Sequence, residues 1–517
     1  MNGALMRASS RFAVAAALGL FAGVSSSQAA DLGGNCCADL EERVAELEAT
    51  AARKGNRKMS LMISGQVDRV VVWYDDGHSQ KTYYGLDNTN SSSRFIFSGT
   101  AKINPKTSMG FEIMLEIEAG GTSSKVNQFD EDGKISSANP LADTVGPAAS
   151  FNGHNVDAYF GDARHVAWWI EHSDLGRVTV GRWETAGVLG TIDLTGHIFL
   201  PASAAFGLLN GGFFIRGPTG QYYAMQWGAI ADPAANNPGR TEGVRYDSPA
   251  YMGFIYSASL NEAGDYWGSM IRYANEFNGV RIAGTVGYEK VHDRGTPATL
   301  DPTSVNFTGP SPDITVWGAA LSVMHVPSGL FLQGHYNHAD FNAPVAGITG
   351  TGTNLYWGSS GGATQKPATQ WLIQGGVSKN WFGSGNTSVY GEYGLALDWG
   401  ASSAGRAFPG TSSTASCPAG SAGGTPNAVC SSTLANFTTV NGVTETEMKV
   451  WGLGIVQKFD AAATDVYLGY RHFDADITCT GAVVVGGGAC AGAAGAAAHK
   501  LPTEGIDVIV GGARVLF

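Results

Sequence analysis

Long apolar runs are missing from this chain once residue 30 is passed. That excludes a protein that crosses a membrane by helices, each of which needs about 20 consecutive apolar residues. Charge is scarce too. Asp, Glu, Lys and Arg make up 15% of the residues, and the balance is acidic, with a formal net charge of −12. Nucleic-acid binding wants a basic patch, so no nucleic-acid partner is expected. There is no phosphate-cradling Gly-x-x-x-x-Gly-Lys-Ser/Thr stretch and no paired-histidine zinc motif, and no His or acidic cluster supports a metal site at the four later cysteines. Neither a cofactor nor a metal is expected. Gly358-Ser359-Ser360-Gly361-Gly362 fits the pattern of a nucleophile elbow. That motif needs a strand-to-helix turn, and this one sits in a loop rich in Gly, Ser and Thr, so the chain does not read as an enzyme.

What is abundant is glycine, at 72 residues, with hydrophobic residues at 44%. Disordered chains lack that much aliphatic and aromatic content. The start reads as a secretory signal peptide, residues 1–29. Arg7 and Arg11 precede an apolar core from Phe12 to Val24, and Ser27-Gln28-Ala29 places small residues before the cut. Gly34-Asn35-Cys36 is a poor lipid-anchor signal. Six cysteines fit an oxidising compartment. Cys417 and Cys430 lie in one Gly/Ser-rich stretch, Cys479 and Cys490 in another. Local pairing would stabilise each loop by roughly 2–4 kcal/mol. Four cysteines admit three pairings, so the local one is a preference.

Residues 30–57 form a short charged segment. Cys37, Leu40, Val44, Leu47 and Ala51 are spaced alternately three and four apart, the seam of a coiled coil. So short a coil is unstable alone and needs a larger body to hold its copies together. The other reading is a single amphipathic helix lying against that body.

From Met59 onward, in residues 58–517, the period switches from helical to two. Leu61, Ile63, Gly65, Val67, Val71 and Trp73 alternate with Ser64, Gln66 and Asp68, although Arg69 falls on the apolar face. Strands of about ten residues, apolar on one face and polar on the other, are the signature of a transmembrane β-barrel. Further strands read as Ser92–Ile103, Met109–Glu118, Val156–Glu171, Arg177–Trp183, Glu242–Asp247, Tyr251–Leu260, Tyr266–Ala274, Val280–Lys290, Ile314–His325, Leu330–His338, Trp371–Lys379, Thr387–Leu397, Lys449–Lys458, Asp465–Phe473 and Gly505–Phe517. Short turns alternate with long loops, among them Asp293–Pro312, Phe341–Ala368, Ala401–Thr444 and Asp474–Glu504. The count is sixteen, and an even count returns both ends to the short-turn side. The fold expected is all-β: a sixteen-stranded antiparallel transmembrane barrel with a short N-terminal periplasmic helix or coiled coil. Alternation alone points Arg281 and Arg471 into the lumen. Arg182 shares the side of Val178 and Val180 and so points outward.

The last strand ends on an aromatic carboxy terminus. Its Gly512-x-x-Val515-x-Phe517 spacing resembles the closing strand and assembly signal of outer-membrane barrels. Arg94-Phe95-Ile96-Phe97-Ser98-Gly99 resembles the second strand of general Gram-negative porins. Ala163-Arg164-His165-Val166-Ala167-Trp168 through Gly176-Arg177-Val178-Thr179-Val180-Gly181-Arg182 looks like their strand pair before the constriction loop, and Val244-Arg245-Tyr246-Asp247-Ser248-Pro249 like their next hairpin. The Asp-Leu-Glu-Glu-Arg-Val segment before the barrel suggests the alphaproteobacterial branch. The resemblance implies a trimeric outer-membrane porin, a passive channel for ions and small hydrophilic solutes. Its partners would be its own copies, outer-membrane lipids and the barrel-assembly machinery. It also implies that a third loop, about residues 184–240, folds into the lumen, with its acids Glu184 and Asp193 facing wall arginines Arg94 and Arg164. Lys102 shares the parity of Arg94 but lies nearer the periplasmic end. Two departures stand out. The loop has few acids for its length, and Phe213 to Trp227 reads equally as an extra hairpin. Two other functions stay open: a solute-specific channel, marked by a ladder of aromatics along one lumen path, and a structural barrel anchored to the envelope through the coiled coil.

Overall fold

The computed structural model describes residues 59–117, 121–124, 126–128, 163–187, 190–202, 211–231, 239–261, 264, 266–291, 314–341, 366–399, 406–408, 437–438, 440–480, 482–483, 490–491 and 498–517. The expected signal peptide, the heptad segment with Cys37, Leu40, Val44, Leu47 and Ala51, and Cys417 and Cys430 lie outside these residues.

The strands in chain order are β1 (Met62–Asp75), β2 (Gln80–Asp87), β3 (Arg94–Asn104), β4 (Thr107–Glu116), β5 (Ala163–His172), β6 (Gly176–Glu184), β7 (Phe214–Arg216), β8 (Tyr222–Gln226), β9 (Arg240–Asp247), β10 (Phe254–Asn261), β11 (Tyr266–Phe277) and β12 (Val280–Val291). They continue as β13 (Ile314–His325), β14 (Leu330–Phe341), β15 (Ala368–Lys379), β16 (Thr387–Leu397), β17 (Arg406–Phe408), β18 (Phe437–Thr438), β19 (Val440–Phe459), β20 (Thr464–Thr480), β21 (Ala482–Val483), β22 (Cys490–Ala491), β23 (Ala498–Leu501) and β24 (Ile506–Leu516). Antiparallel pairing runs unbroken from β1 through β3, β4, β5, β6, β9 to β16, then β19, β20 and β24, which pairs back onto β1. That circuit is a closed barrel of sixteen strands. Closure leaves no strand edge unpaired in lipid.

Local chemistry sets the turns. Asn104 Oδ1 accepts from the backbone N–H groups of Lys106 and Thr107 at 2.9 and 2.8 Å, reversing β3 into β4. Between β11 and β12, Asn278 and Gly279 both adopt positive φ, 50° and 77°, the mirror-type turn whose twist matches a two-residue hairpin. The alternation expected from sequence is the alternation found. Val286, Leu332 and Leu468 face outward, 62%, 60% and 52% exposed, while Thr285, Gln333 and Tyr467 on the same strands are buried inside. Trp267 with Tyr288, Trp317 with Tyr336, Trp371 with Tyr393 and Trp451 with Tyr470 form cross-strand aromatic pairs on the outer face of β11 to β20, the amphipathic belt of a bilayer interface.

Three features depart from the sequence reading. The second barrel strand is broken. β2 and β3 both pair with β1, and the Ser-rich segment 88–93 between them leaves the wall. The expected loops Ala401–Thr444 and Asp474–Glu504 are shorter than read, because β19 starts at Val440 and β20 runs to Thr480. The inner wall is also not polar throughout. Val70, Val72, Val450, Phe473, Val508 and Val510 point inward and are all but fully buried. What covers them is the segment that follows β6.

Candidate functional site

The described parts of that segment, residues 185–187, 190–202 and 211–231, lie in the lumen and girdle the wall. Ala186 N–H donates to Ser259 Oγ of β10 at 2.7 Å. Thr191 Oγ1 meets His335 Nδ1 of β14 at 2.7 Å, and Ser322 of β13 donates to the Ile192 carbonyl. His197 Nε2 meets Ser388 Oγ of β16 at 2.5 Å. Arg514 of β24 donates to the Gly196 carbonyl at 3.4 Å, and Asn88, in the break of the second strand, donates to the Leu200 carbonyl at 3.1 Å. The segment therefore leaves β6, passes along one side of the wall and docks beside β1. It fits because its own residues are small or apolar. Ile192 packs on Ala283 and Ala320, and Ile198 on Met324, Phe331 and Tyr390. Burial in this apolar bed lowers the pKa of the His197 imidazole, against the pull of Asp193 and Asp465 and with that of Arg514 and Lys458.

The remainder of the segment is a hairpin, β7 with β8, as the aromatic- and Gly-rich stretch allowed. β18 adds to it in parallel. Phe213, Ile215, Tyr223, Met225 and Trp227 are fully buried against the apolar wall. Arg216 pins the hairpin at the mouth. Its guanidinium is 2.7 Å from Asp76, donates to Ser79 Oγ at 2.9 Å, and stacks 3.9 Å from the Tyr222 ring.

β3, β4, β5, β6 and β9 make up the rest of the wall, and Thr185, the first residue of the segment, accepts from Arg245 of β9 at 3.4 Å. One row of charged residues crosses these five strands. Arg94 is registered with Glu116, and Glu184 with Arg240. The β5–β6 register, Val166 opposite Arg182, sets Arg164 beside Glu184. The row alternates in sign: Arg94, Glu116, Arg164, Glu184, Arg240. Arg164 Nε is 2.6 Å from Glu116 Oε2. A register shift between β4 and β5 next to Arg164 turns it inward, where strict alternation from Val166 would have put it in lipid. Beneath the row, His165 sits between Glu112 at 2.8 Å and Glu184 at 3.3 Å. Its ring stacks on Trp183 at 4.1 Å. The Arg177 guanidinium lies 4.5 Å from Trp169 and 5.3 Å from Trp183.

The residues named from sequence fall at different places. Arg94, Arg164 and Glu184 share the row, and Glu184 belongs to its wall and not to the lumen segment. Asp193 is in the segment, but its carboxylate accepts from Thr195 N–H at 2.8 Å and Phe199 N–H at 3.1 Å, so it braces its own backbone. Arg471 is 1% exposed beneath the segment, 2.6 Å from Glu392. Arg281 pairs with Glu276 at 3.1 Å beside the β11–β12 turn, and Lys102 is exposed near the Asn104 turn. Arg182 keeps the outward side and donates to the Ala163 carbonyl at 2.7 Å. Glu116 and Arg240 were missed. Their membership of the row follows from register, which a single strand does not reveal.

At the seam, Gly512 has no room for a side chain, since a Cβ there would meet the Arg69 carbonyl at 2.5 Å. Val515 and Phe517 face outward. Phe517 bonds Gly65 through both backbone groups, at 2.9 and 3.2 Å, and lies edge-on to Phe95 at 5.6 Å. Cys479 is buried and disulfide-bonded; the side chain of Cys490 lies outside the described residues. Among the described residues no group of His, Cys, Asp and Glu is arranged to hold a metal.

A closed barrel with an apolar, aromatic-belted exterior and a charged, partly occupied lumen is an outer-membrane channel protein. The model of the Gram-negative porin family matches residues 13–499, and the chain belongs to that family. It is a protein of the outer membrane, and its barrel is a channel for passive diffusion of solutes. No protein of curated function matches the sequence. Among solved structures, OmpF of Salmonella typhi in complex with daunomycin is 12% identical, with 89% of this chain and 98% of that one covered and a TM-score of 0.43. OmpT of Vibrio cholerae is 11% identical, with 90% and 99% covered and a TM-score of 0.42. Likenesses this distant carry no argument; the strand circuit and the family match do.

Proposed function

We propose that solutes cross the channel along the arc of β3 to β6 and β9, with the lumen segment as the opposite wall. The observation that supports this most is the girdle, whose contacts among the described residues run along the inner wall from β10 to β1, away from the charged row. A water-lined arc spares ions most of their desolvation, and the remaining width sets the size limit. Arg94, Arg164 and Glu184 line the narrow part of this passage; Asp193 supports the segment, while Arg471, Arg281 and Lys102 do not touch the passing solute. No catalytic step is involved.

The barrel is a homo-oligomer, a trimer by family precedent, joined through the outer face that lacks the Trp–Tyr pairs, with the heptad segment 30–57 as a periplasmic coil gathering the copies. Cys479 pairs with Cys490. Swelling of liposomes in sugars of graded size tests the passage. Influx that falls smoothly with solute size supports it, and entry of one sugar with rejection of smaller ones contradicts it.

A solute-specific channel is the second reading. It is favoured by the stack of Trp169, Arg177, Trp183 and His165 along a single lumen path. Saturation of influx by one planar solute, lost in Trp183→Ala, would select it.

A further inference from the structure

We propose that the hairpin β7–β8, with the outer-loop pieces strapped to it, is a size filter at the outer mouth of the channel, separate from the charged row. This rests on the open passage of the preceding section and adds where along it solutes are sorted by size.

The two levels are well separated. Arg94 of the row is registered with Gln66 of β1. The hairpin is pinned at Asp76, just past the outer end of that strand. At about 3.3 Å per residue, the chain between these points is roughly 30 Å long. Four outer loops converge on the hairpin. Gln128, in the loop after β4, brackets Phe214: its Nε2 donates to the Phe214 carbonyl at 2.8 Å, and its Oε1 accepts from the Phe214 N–H at 2.9 Å. Phe437 and Thr438, ahead of β19, run parallel to Tyr222 and Tyr223. Between β23 and β24, the Pro502 carbonyl accepts from the Tyr223 hydroxyl at 2.7 Å, and the Glu504 N–H donates to the Arg216 carbonyl at 2.8 Å. Asp76 and Ser79 hold Arg216 from the β1–β2 loop.

The narrowing is fixed and neutral. Ile215, Tyr223 and Met225 are fully buried against the apolar wall, with Phe213 4.7 Å from Tyr74 and Trp227 6.0 Å from Phe473. Lifting the hairpin would put Val70, Val72, Val508 and Val510 into water, which the hydrophobic effect opposes. β7, β8 and β18 form a three-stranded sheet. A sheet packed on another stands about 10 Å from it, so this one takes about that much from the width of the lumen. Phe214, Tyr222 and Gln226, on the side away from the wall, are half-buried and edge the opening that remains. Residues 213–227 hold one charged side chain, Arg216, and Asp76 pairs with it at 2.7 Å. The hairpin therefore sorts solutes by size, and the ion preference is left to the charged row.

The test reads two quantities from the same protein: influx of sugars of graded size into liposomes, and the reversal potential of single channels in a salt gradient. Phe214→Ala with Tyr222→Ala trims the open side of the hairpin. It keeps the Gln128 bonds, which go to the Phe214 backbone, and the Arg216–Asp76 pair. Influx of the largest admitted sugar should rise severalfold, with the reversal potential unchanged. Gln226→Trp, which adds bulk on the same side, should lower that influx. Lys106→Gln, at the Asn104 turn on the opposite rim, should change neither. Heat-modifiable migration on gels verifies that each variant is folded. A folded, conducting double variant with the wild-type sugar limit overturns the outer filter, and so does one whose reversal potential moves together with the limit. Folded wild-type barrels that carry no current overturn the open passage itself.

Discussion

Single residues decide how a barrel wall can carry buried charge. Arg471 and Glu392 are separated by β19 and still meet at 2.6 Å, both all but fully buried. They reach each other across Gly452, where a Cβ would stand 2.9 Å from the Glu392 carboxylate. Gly452→Val should therefore break the pair. Removing the arginine alone, as in Arg471→Ala, strands a buried carboxylate and should cost about 3–5 kcal/mol. The combination Arg471→Met with Glu392→Gln should recover most of that loss. Urea unfolding in lipid vesicles measures all three, and an Arg471→Ala barrel of unchanged stability would refute the pairing. The charged row makes a second prediction at this scale. Arg94→Gln with Arg164→Gln removes two of its cations, so the reversal potential in a salt gradient should move toward cations. How much of the site the sequence discloses also turns on single residues. Arg94 sits on a regular strand and reads correctly. Arg164 faces inward because of a register shift, and the row partners Glu116 and Arg240 emerge only when neighbouring strands are aligned. Alternation points Arg281 and Arg471 inward without revealing that one sits at a turn and the other lies beneath the lumen segment.

At the scale of elements, the barrel strands were legible because lipid on one side and water on the other impose period two on each. The lumen segment was less so. It is apolar where it packs on the wall, and nothing in its sequence says that a wall will be there. The inward Val70, Val72, Val508 and Val510 look misplaced until the hairpin Phe214–Gln226 is laid over them. The broken second strand was missed for a similar reason: Asn88 to Ser93 is polar throughout and carries no periodicity, yet it binds the tip of the segment. Docking of the segment should depend on pH through His197. Its pKa lies below the ordinary value of about 6.5 because the neutral ring is buried, so the undocked state binds the proton more readily. Docking is then at full strength above that ordinary value and weakens as pH falls below it. Current noise from segment movement should rise between neutral and mildly acidic pH, and His197→Gln, which keeps a partner for Ser388, should flatten the dependence. Noise that ignores pH in the wild type would contradict it. Asp76→Asn should loosen the hairpin at the mouth by weakening its hold on Arg216, seen as faster proteolysis between residues 203 and 231.

For the whole molecule, closure and passage are the two facts that matter. The barrel closes where β24 meets β1, with the Phe517 backbone bonded to Gly65 and no space at Gly512. Deleting Phe517, or Gly512→Val, should lower the yield of heat-resistant barrel in an assembly reaction, while a change at the outward Val515 to Ile should not. The proposed passage depends on the lumen segment lying along one side of the wall and leaving a water-filled path on the other. The current of single channels in a planar bilayer under a potassium chloride gradient tests this most directly. The arrangement predicts large, persistent, ohmic steps with a reversal potential that favours chloride, since the charged row carries three arginines against two carboxylates. Correctly folded barrels that insert and carry no current would mean that the segment fills the lumen, and would contradict the account.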